Sequence, residues 1–377
     1  MNIIGKTDML RLLETLVNID SGSYHKTGVD ALGKELIGAY EPLGFKAAIF
    51  KQSIYGNHIL VQHTEAKQPT ILLLAHMDTV YPVGTVKKRP FSVKGERAYG
   101  PGVIDMKGSH VTAFAAIKAL CSANPQAAKN VALLLTSDEE IGAPTGRPLI
   151  EEHGKGKRAV LVMEPARKDG SLVTARRGGG RFTLDVSGKA AHAGVEPEKG
   201  RSAIAELAAK IIKLHALSDH DAGISINAGL IEGGTSVNTV ASRAKAQIDV
   251  RISKLNQAEP LEKRIRAICQ QPWLDGTTIT VTGGVTRPPM ERNRDTMELI
   301  SLIKAIGTSM GLHVTETATG GSSDASFTSA LGIPTIDGMG PVGGNQHSEE
   351  EYLEIESLEE RALLLAYTIE ALLAKTK

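Results

Sequence analysis

Three short runs constrain the fold of this chain more than any other feature: residues 70–75 (TILLLA), 131–136 (VALLLT) and 159–163 (AVLVM). None alternates between apolar and polar residues, so each predicts a strand covered on both faces. Covering both faces takes helices above and below the sheet. The segment 6–20 places Met9, Leu12, Leu13 and Leu16 at helical spacing, and further helices are predicted at 29–40, 106–123 and 148–153. Two more strand-like runs, 46–51 and 58–63, precede the first core strand. Strands alternating with helices predict the α/β class: a mixed, largely parallel sheet sandwiched by helices.

The pattern changes after Arg177. Three glycines at 178–180 punctuate the chain. They are followed by strand 181–187, helix 201–217, strands 224–231 and 244–252, helix 260–270 and strand 277–281. That β-α-β-β-α-β order is ferredoxin-like and predicts an inserted α+β domain over 178–287. After Arg287-Pro288-Pro289 the α/β pattern resumes, with a helix at 295–310, a strand at 313–316, a helix at 324–331, a strand at 334–338 and a last helix at 357–375. Residues 1–177 and 288–377 are therefore read as one domain interrupted by the insert.

A chain of 377 residues can bury a sizeable core, and its balance of 43 basic against 42 acidic residues gives no bulk attraction to nucleic acid or to a membrane surface. The two cysteines, Cys121 and Cys269, exclude a disulfide framework and read as small buried hydrophobes. The N-terminus lacks the basic start, long apolar stretch and cleavage site of a signal peptide, and no apolar run nears the roughly 20 residues that span a bilayer. The expectation is cytoplasmic, or periplasmic if a leader was removed.

Chemistry-bearing residues gather where the apolar runs end. His76-Met77-Asp78 follows the first run, and residues two apart on a strand share a side. Asp78 can therefore orient His76 as a metal ligand, or the two can form a structural ion pair. Asp105 ends the turn-rich segment 99–105 ahead of a helix, where an N-cap would explain it equally well. Asp138-Glu139-Glu140 follows the second core run. Adjacent carboxylates repel unless a cation neutralises them or water solvates them. Glu164 follows the third run, and His347 lies in a Gly-rich loop. Each is ambiguous singly. Together, two histidines and three carboxylates, four of them just after predicted strands or at a helix start, offer the N and O donors that suit zinc, with Glu139 left as a general base beside Glu140.

At this point the chain resembles a known family. HMDTV (76–80), YGPGVIDMKG (99–108), SDEEIG (137–142), MEP (163–165) and QHS (346–348) look like the signatures of the zinc aminoacylase/carboxypeptidase family. That family includes carboxypeptidase G-type glutamate carboxypeptidases, acetylornithine deacetylase, succinyl-diaminopimelate desuccinylase and aminoacylase-1. The resemblance covers nearly the whole chain and looks strongest to the carboxypeptidase G branch, which SGKAAHAG, VTRPP and TGGSSDA also resemble. It implies a catalytic domain over 1–177 and 288–377 and a lid and dimerisation domain over 178–287. It further implies two zinc ions per subunit bridged by Asp105 and a water or hydroxide. His76 and Glu164 would complete one site, Glu140 and His347 the other. Asp78 would orient His76, Glu139 would be the base, and the Asp105–Met106 peptide would be cis. In the lid, His192 would stabilise the oxyanion in a partner subunit, and Asn238 and Arg251 would bind substrate, Arg251 through its carboxylate. Gly320, Gly321 and Asp324 would line the substrate site, and Arg287 is a further substrate-binding candidate at the domain boundary. The implied reaction cleaves an amide to release a C-terminal amino acid with a free carboxylate, glutamate being favoured. The alternatives are an N-acyl-amino-acid deacylase and a dipeptidase. Ser323, where the branch often has Thr, and the long loop GPVGGNQHS (340–348) put side-chain preference in question rather than metal binding.

Overall fold

In the computed structural model, which describes residues 1–374, the chain divides into two compact units. One comprises Met1–Ala175, Arg292–Thr319 and the chain from Ser323 onward; the other comprises Arg176–Glu291 and Gly320–Ser322.

The first unit is built on a six-stranded sheet in the order Phe45–Phe50, His58–His63, Val131–Thr136, Ile71–His76, Ala159–Val162, Thr335–Ile336. The first two strands pair antiparallel, and the remaining four run parallel. The core runs behave as their composition demands: every residue of Ile71–His76, Val131–Thr136 and Ala159–Val162 is buried. The helix Gly108–Ala123 is apolar nearly all round and is buried under Glu356–Ala374. Lys375, the end of the expected last helix, lies outside the described residues. Parallel strands end on the same edge of a sheet, so the residues that follow His76, Thr136 and Val162 are delivered to one place.

The departures are instructive. The strand expected at 313–316 lies at Glu316–Thr319, pairing only with Leu172–Arg176. Its side chains are half-exposed and polar, which leaves no hydrophobic period to read. A second small sheet, in the order Gly343–Gly344, Tyr352–Glu354, Arg97–Tyr99, Ser92–Lys94, was not foreseen; its strands are too short to carry a period. The helix expected from 106 begins at Gly108, because residues 103–107 form an irregular turn with extended backbone at Asp105.

The second unit is an antiparallel sheet in the order Ser225–Gly233, Arg243–Ile252, Gly178–Ser187, Thr278–Arg287, packed with helices Ala203–His215 and Ala258–Gln270. This is the ferredoxin-like arrangement. Its own core includes Phe182, Leu184, Leu207, Ile248, Val250 and Ile265. The three glycines do not end the preceding segment; they open the first strand. A Cβ at Gly180 would lie 2.0 Å from the Gly284 carbonyl oxygen of the neighbouring strand, so a side chain there would push the two strands apart. Among the described residues, no helix is long and apolar enough to cross a membrane.

Candidate metal centre

His76 ends its strand fully covered, with Nε2 3.2 Å from Asp105 Oδ1 and 3.6 Å from Glu164 Oε1. His347 approaches the other oxygen of the same aspartate: its Nε2 is 3.4 Å from Asp105 Oδ2 and 3.3 Å from Glu140 Oε2. The expected ligands thus form two trios, His76–Asp105–Glu164 and Asp105–Glu140–His347, joined through Asp105. His347 has φ of 62°, in the left-handed region that residues other than glycine rarely occupy. The Asp105–Met106 peptide is cis.

The surrounding partners differ in part from expectation. His76 Nδ1 lies 2.9 Å from the Asp78 main-chain oxygen, closer than the 3.5 Å to its carboxylate. A donor at Nδ1 leaves Nε2 free to ligate. The buried Asp78 carboxylate accepts instead from Ser23 Oγ at 2.7 Å, from the Glu139 main-chain N–H at 3.1 Å and from that of Glu140 at 3.2 Å. Asp78 therefore pins the turn that carries both glutamates, in addition to backing His76.

The electrostatics show a cluster that wants cations. Burial pushes the Glu140 carboxyl up to about 7, with Asp105 and Glu139 adding to the rise against the opposing His347. Burial likewise drives Glu164 well above the carboxylate range, reinforced by Asp105. Burial would depress His76, but hydrogen bonds to Asp105 and Asp78 reverse it and leave it well above its ordinary value. Hydrogen bonds to Asp105 and Glu140 raise His347 to about 10. Burial would raise Asp105 too, yet the hydrogen bonds from His347 and His76 hold it below the usual range. Protons are thus standing in for cations. Glu140 Oε1 is buried with no hydrogen-bond partner, as a ligand atom awaiting its ion would be. One imidazole and two carboxylates in each trio suit zinc.

Proton displacement makes metal uptake pH-dependent in a definite sense. His347 and Glu140 must lose protons to ligate, so apparent affinity should climb as pH rises through about 7 and on toward about 10, and uptake at pH 7 should release protons. Titration calorimetry in two buffers of different ionisation enthalpy reads this directly. Equal heats in both would contradict it.

Residues 72–371 match the Peptidase family M20/M25/M40. The chain belongs to this family. It is 29% identical over 369 residues to carboxypeptidase G2 of Pseudomonas sp. (strain RS-16), covering 96% of this chain and 88% of that one. It is 29% identical over 357 residues to the succinyl-diaminopimelate desuccinylase of Dechloromonas aromatica (strain RCB), covering 90% and 92%. The aminopeptidase PepT of Bacillus cereus ATCC 10987 shares the fold, with a TM-score of 0.81 at 24% identity over 99% of this chain and 100% of that one. The protein is accordingly a metal-dependent hydrolase of the M20 metallopeptidase and amidohydrolase kind.

The remaining candidates of this M20 chain sit as follows. His192 is exposed, and its Nδ1 accepts from the main-chain N–H groups of Gly194 and Val195 at 3.1 and 3.2 Å. The ring proton then resides on Nε2. Asn238 lies on the adjoining loop, where its main-chain oxygen accepts from Ala193 N–H. Arg251 is held bidentately by Asp249, Nε to Oδ2 at 2.9 Å and Nη2 to Oδ1 at 3.0 Å, with Nη1 3.4 Å from Ser322 Oγ. Gly321 presents its carbonyl to Arg176 Nη1 at 3.0 Å, and Gly320 beside it is exposed. Arg287 is buried at its strand end opposite Gly179. Asp324 is buried in the first unit, accepting from Thr136 Oγ1 at 3.3 Å. Three buried partners of the M20 site escaped the sequence: Glu351, Lys107 and His110. Lys107 donates to the Ile19 carbonyl at 2.7 Å, and His110 Nε2 lies 2.8 Å from the His76 carbonyl oxygen. Burial depresses Lys107 to about 7 and His110 to about 3. Lys107 lies within the DMKG segment and His110 two residues after it, whereas nothing in the sequence marks Glu351.

Proposed function

We propose that this chain is a two-zinc carboxypeptidase that releases a C-terminal amino acid, glutamate favoured, from a peptide or N-acyl substrate. The observation that carries the reading is the pair of ligand trios joined through Asp105, with Glu139 on the turn that supplies Glu140. Two zinc ions held there would acidify a bound water and polarise the scissile carbonyl. Glu139, anchored through its main chain by Asp78, takes the proton of the attacking water and returns it to the departing nitrogen. His192 offers an Nε2 proton to the oxygen on which negative charge develops, because two main-chain donors already occupy Nδ1.

Arg251 would receive the substrate carboxylate. Asp249 holds its guanidinium in one orientation through Nε and Nη2 and leaves Nη1, 3.4 Å from Ser322 Oγ, outside that ion pair. The similarity to carboxypeptidase G2 favours glutamate as the released residue. The similarity to a desuccinylase favours the second reading, an N-acyl-amino-acid deacylase, in which the acyl group is the variable part. A homodimer through the second unit belongs to the proposal. Ile212 on its helix and Leu230 and Ile231 on its edge strand are 72%, 62% and 61% exposed, apolar side chains and a free strand edge of the kind a second copy would cover.

One experiment tests these points together: zinc-loaded protein assayed across a dilution series on N-acylglutamate, folyl-type glutamate, acetylornithine, succinyl-diaminopimelate and simple dipeptides. Glutamate conjugates should give the highest kcat/KM, and activity per chain should fall as the dimer dissociates. Preference for a succinyl or acetyl diamino acid substrate would transfer the reading to the deacylase, and constant activity in a chain shown to be monomeric would remove the dimer.

A further inference from the structure

Glu349, Glu350 and Glu351 follow one another just after His347, yet only Glu351 is buried, at 0% exposure. Its carboxylate is surrounded by donors. Oε1 accepts from the main-chain N–H groups of Ile104 and Asp105, both at 3.0 Å, and Oε2 accepts from that of Gly102 at 2.9 Å. The Tyr81 hydroxyl adds a fourth contact to Oε2 at 2.6 Å. Successive N–H groups of a tight turn converging on one anion form a concave backbone cradle, and here the anion belongs to the protein.

We infer that Glu351 is a positioning residue that sets the geometry of both metal-ligand trios by gripping the backbone of Asp105. The turn 102–105 is held only in part by its own backbone: Lys107 N–H donates to the Gly102 carbonyl at 2.9 Å, but Asp105 and Met106 have non-helical dihedrals, and the helix begins only at Gly108. Glu351 supplies the partners that helical hydrogen bonds would otherwise give. Its own chain is the segment that carries His347, tied back by Glu351 N–H to the Ser348 carbonyl at 3.4 Å. The Tyr81 hydroxyl, whose single proton serves Oε2, also lies 2.8 Å from that same carbonyl oxygen, and Arg89 donates to the Glu349 carbonyl at 2.7 Å with its guanidinium 5.0 Å from the Tyr81 ring centre. One carboxylate therefore couples the shared aspartate to the histidine of the second trio. The Asp105–Glu140–His347 site, attached at two of its three ligands, should depend on it more than the His76 site.

This inference rests on the two-metal reading, and the test separates the two. The probe is Co²⁺ alone, followed by equilibrium dialysis and by visible absorption, with circular dichroism and Tm as checks on folding. Wild-type protein taking up fewer than two Co²⁺ per chain would sink the two-metal reading itself. Given two, Glu351→Gln is the decisive variant. However its amide turns, its NH₂ group faces at least one main-chain N–H of the 102–105 turn. We expect a folded protein in which one Co²⁺ binds roughly 10–100-fold more weakly, the range for partners of metal ligands, with an altered absorption spectrum. Glu351→Asp keeps both acceptor oxygens and should recover part of the affinity. Wild-type affinity and spectrum in folded Glu351→Gln would overturn the inference. Should that variant not fold, Tyr81→Phe decides: it removes one anchor of the carboxylate and is expected to weaken one Co²⁺ by about 10-fold, the low end of the same range, with a spectral change. Unchanged binding there overturns it equally.

Discussion

Asp105→Asn should strip both metal positions at once. Asp105 is the single residue common to the two trios, offering Oδ1 on the His76 side and Oδ2 on the His347 side. An amide keeps the shape but loses the charge and one acceptor, so neither ion retains its bridge. Removing a mere partner of a ligand costs roughly 10–100-fold in metal affinity, and loss of a shared ligand should exceed that at both positions. Wild-type protein is expected to hold two metal ions per chain by elemental analysis and the variant fewer than one, with turnover below detection. The fold should survive, since Asp105 sits on a turn whose backbone is held by Glu351. Retention of two tightly held ions by Asp105→Asn would mean that the trios are structural ion pairs rather than ligand sets.

Glu139→Ala is expected to give the opposite pattern: full metal content and almost no turnover. Glu139 belongs to neither trio, whereas Glu140 does. The two side chains leave one short turn, and Asp78 anchors that turn through the main chain of both, so the substitution leaves the ligand in place. A positioned general base contributes about 10²–10⁴-fold, and kcat should fall by at least that range while KM changes little. At about 1.4 kcal/mol per tenfold, this corresponds to roughly 3–6 kcal/mol of transition-state stabilisation. Steady-state rates measured beside metal analysis read both halves of the expectation. A variant that keeps near-wild-type kcat would remove Glu139 from the mechanism.

Four of the five residues of the two trios stand out because they follow runs that read as buried strands or open a helix, and parallel strands deliver their ends to one edge; His347 lies in a Gly-rich loop. Asp105 was the exception in kind. Its surroundings suggested a helix cap, and only the turn at 103–107, with the helix starting later, shows its carboxylate facing both histidines. Asp78 illustrates a subtler limit. Its spacing from His76 pointed to a carboxylate–imidazole contact, whereas the closer contact is to its carbonyl and the carboxylate serves the Glu139–Glu140 turn. A residue type indicates what a side chain can accept, not which donor folding will bring to it.

Hydrophobic pattern by itself determined the sheet sandwiched by helices, the interruption by a β-α-β-β-α-β unit and the gathering of polar residues at strand ends, because burial of apolar runs is a local, composition-driven property. What only the tertiary structure decided depends on groups far apart in sequence. Glu351 looks no different from its two exposed neighbours until the Gly102, Ile104 and Asp105 N–H groups, some 250 residues earlier, are folded around it. The pairing of Tyr352–Glu354 with Arg97–Tyr99 in the small sheet is of the same kind. Main-chain donors carry no residue identity, so a site organised by them leaves no mark in the sequence.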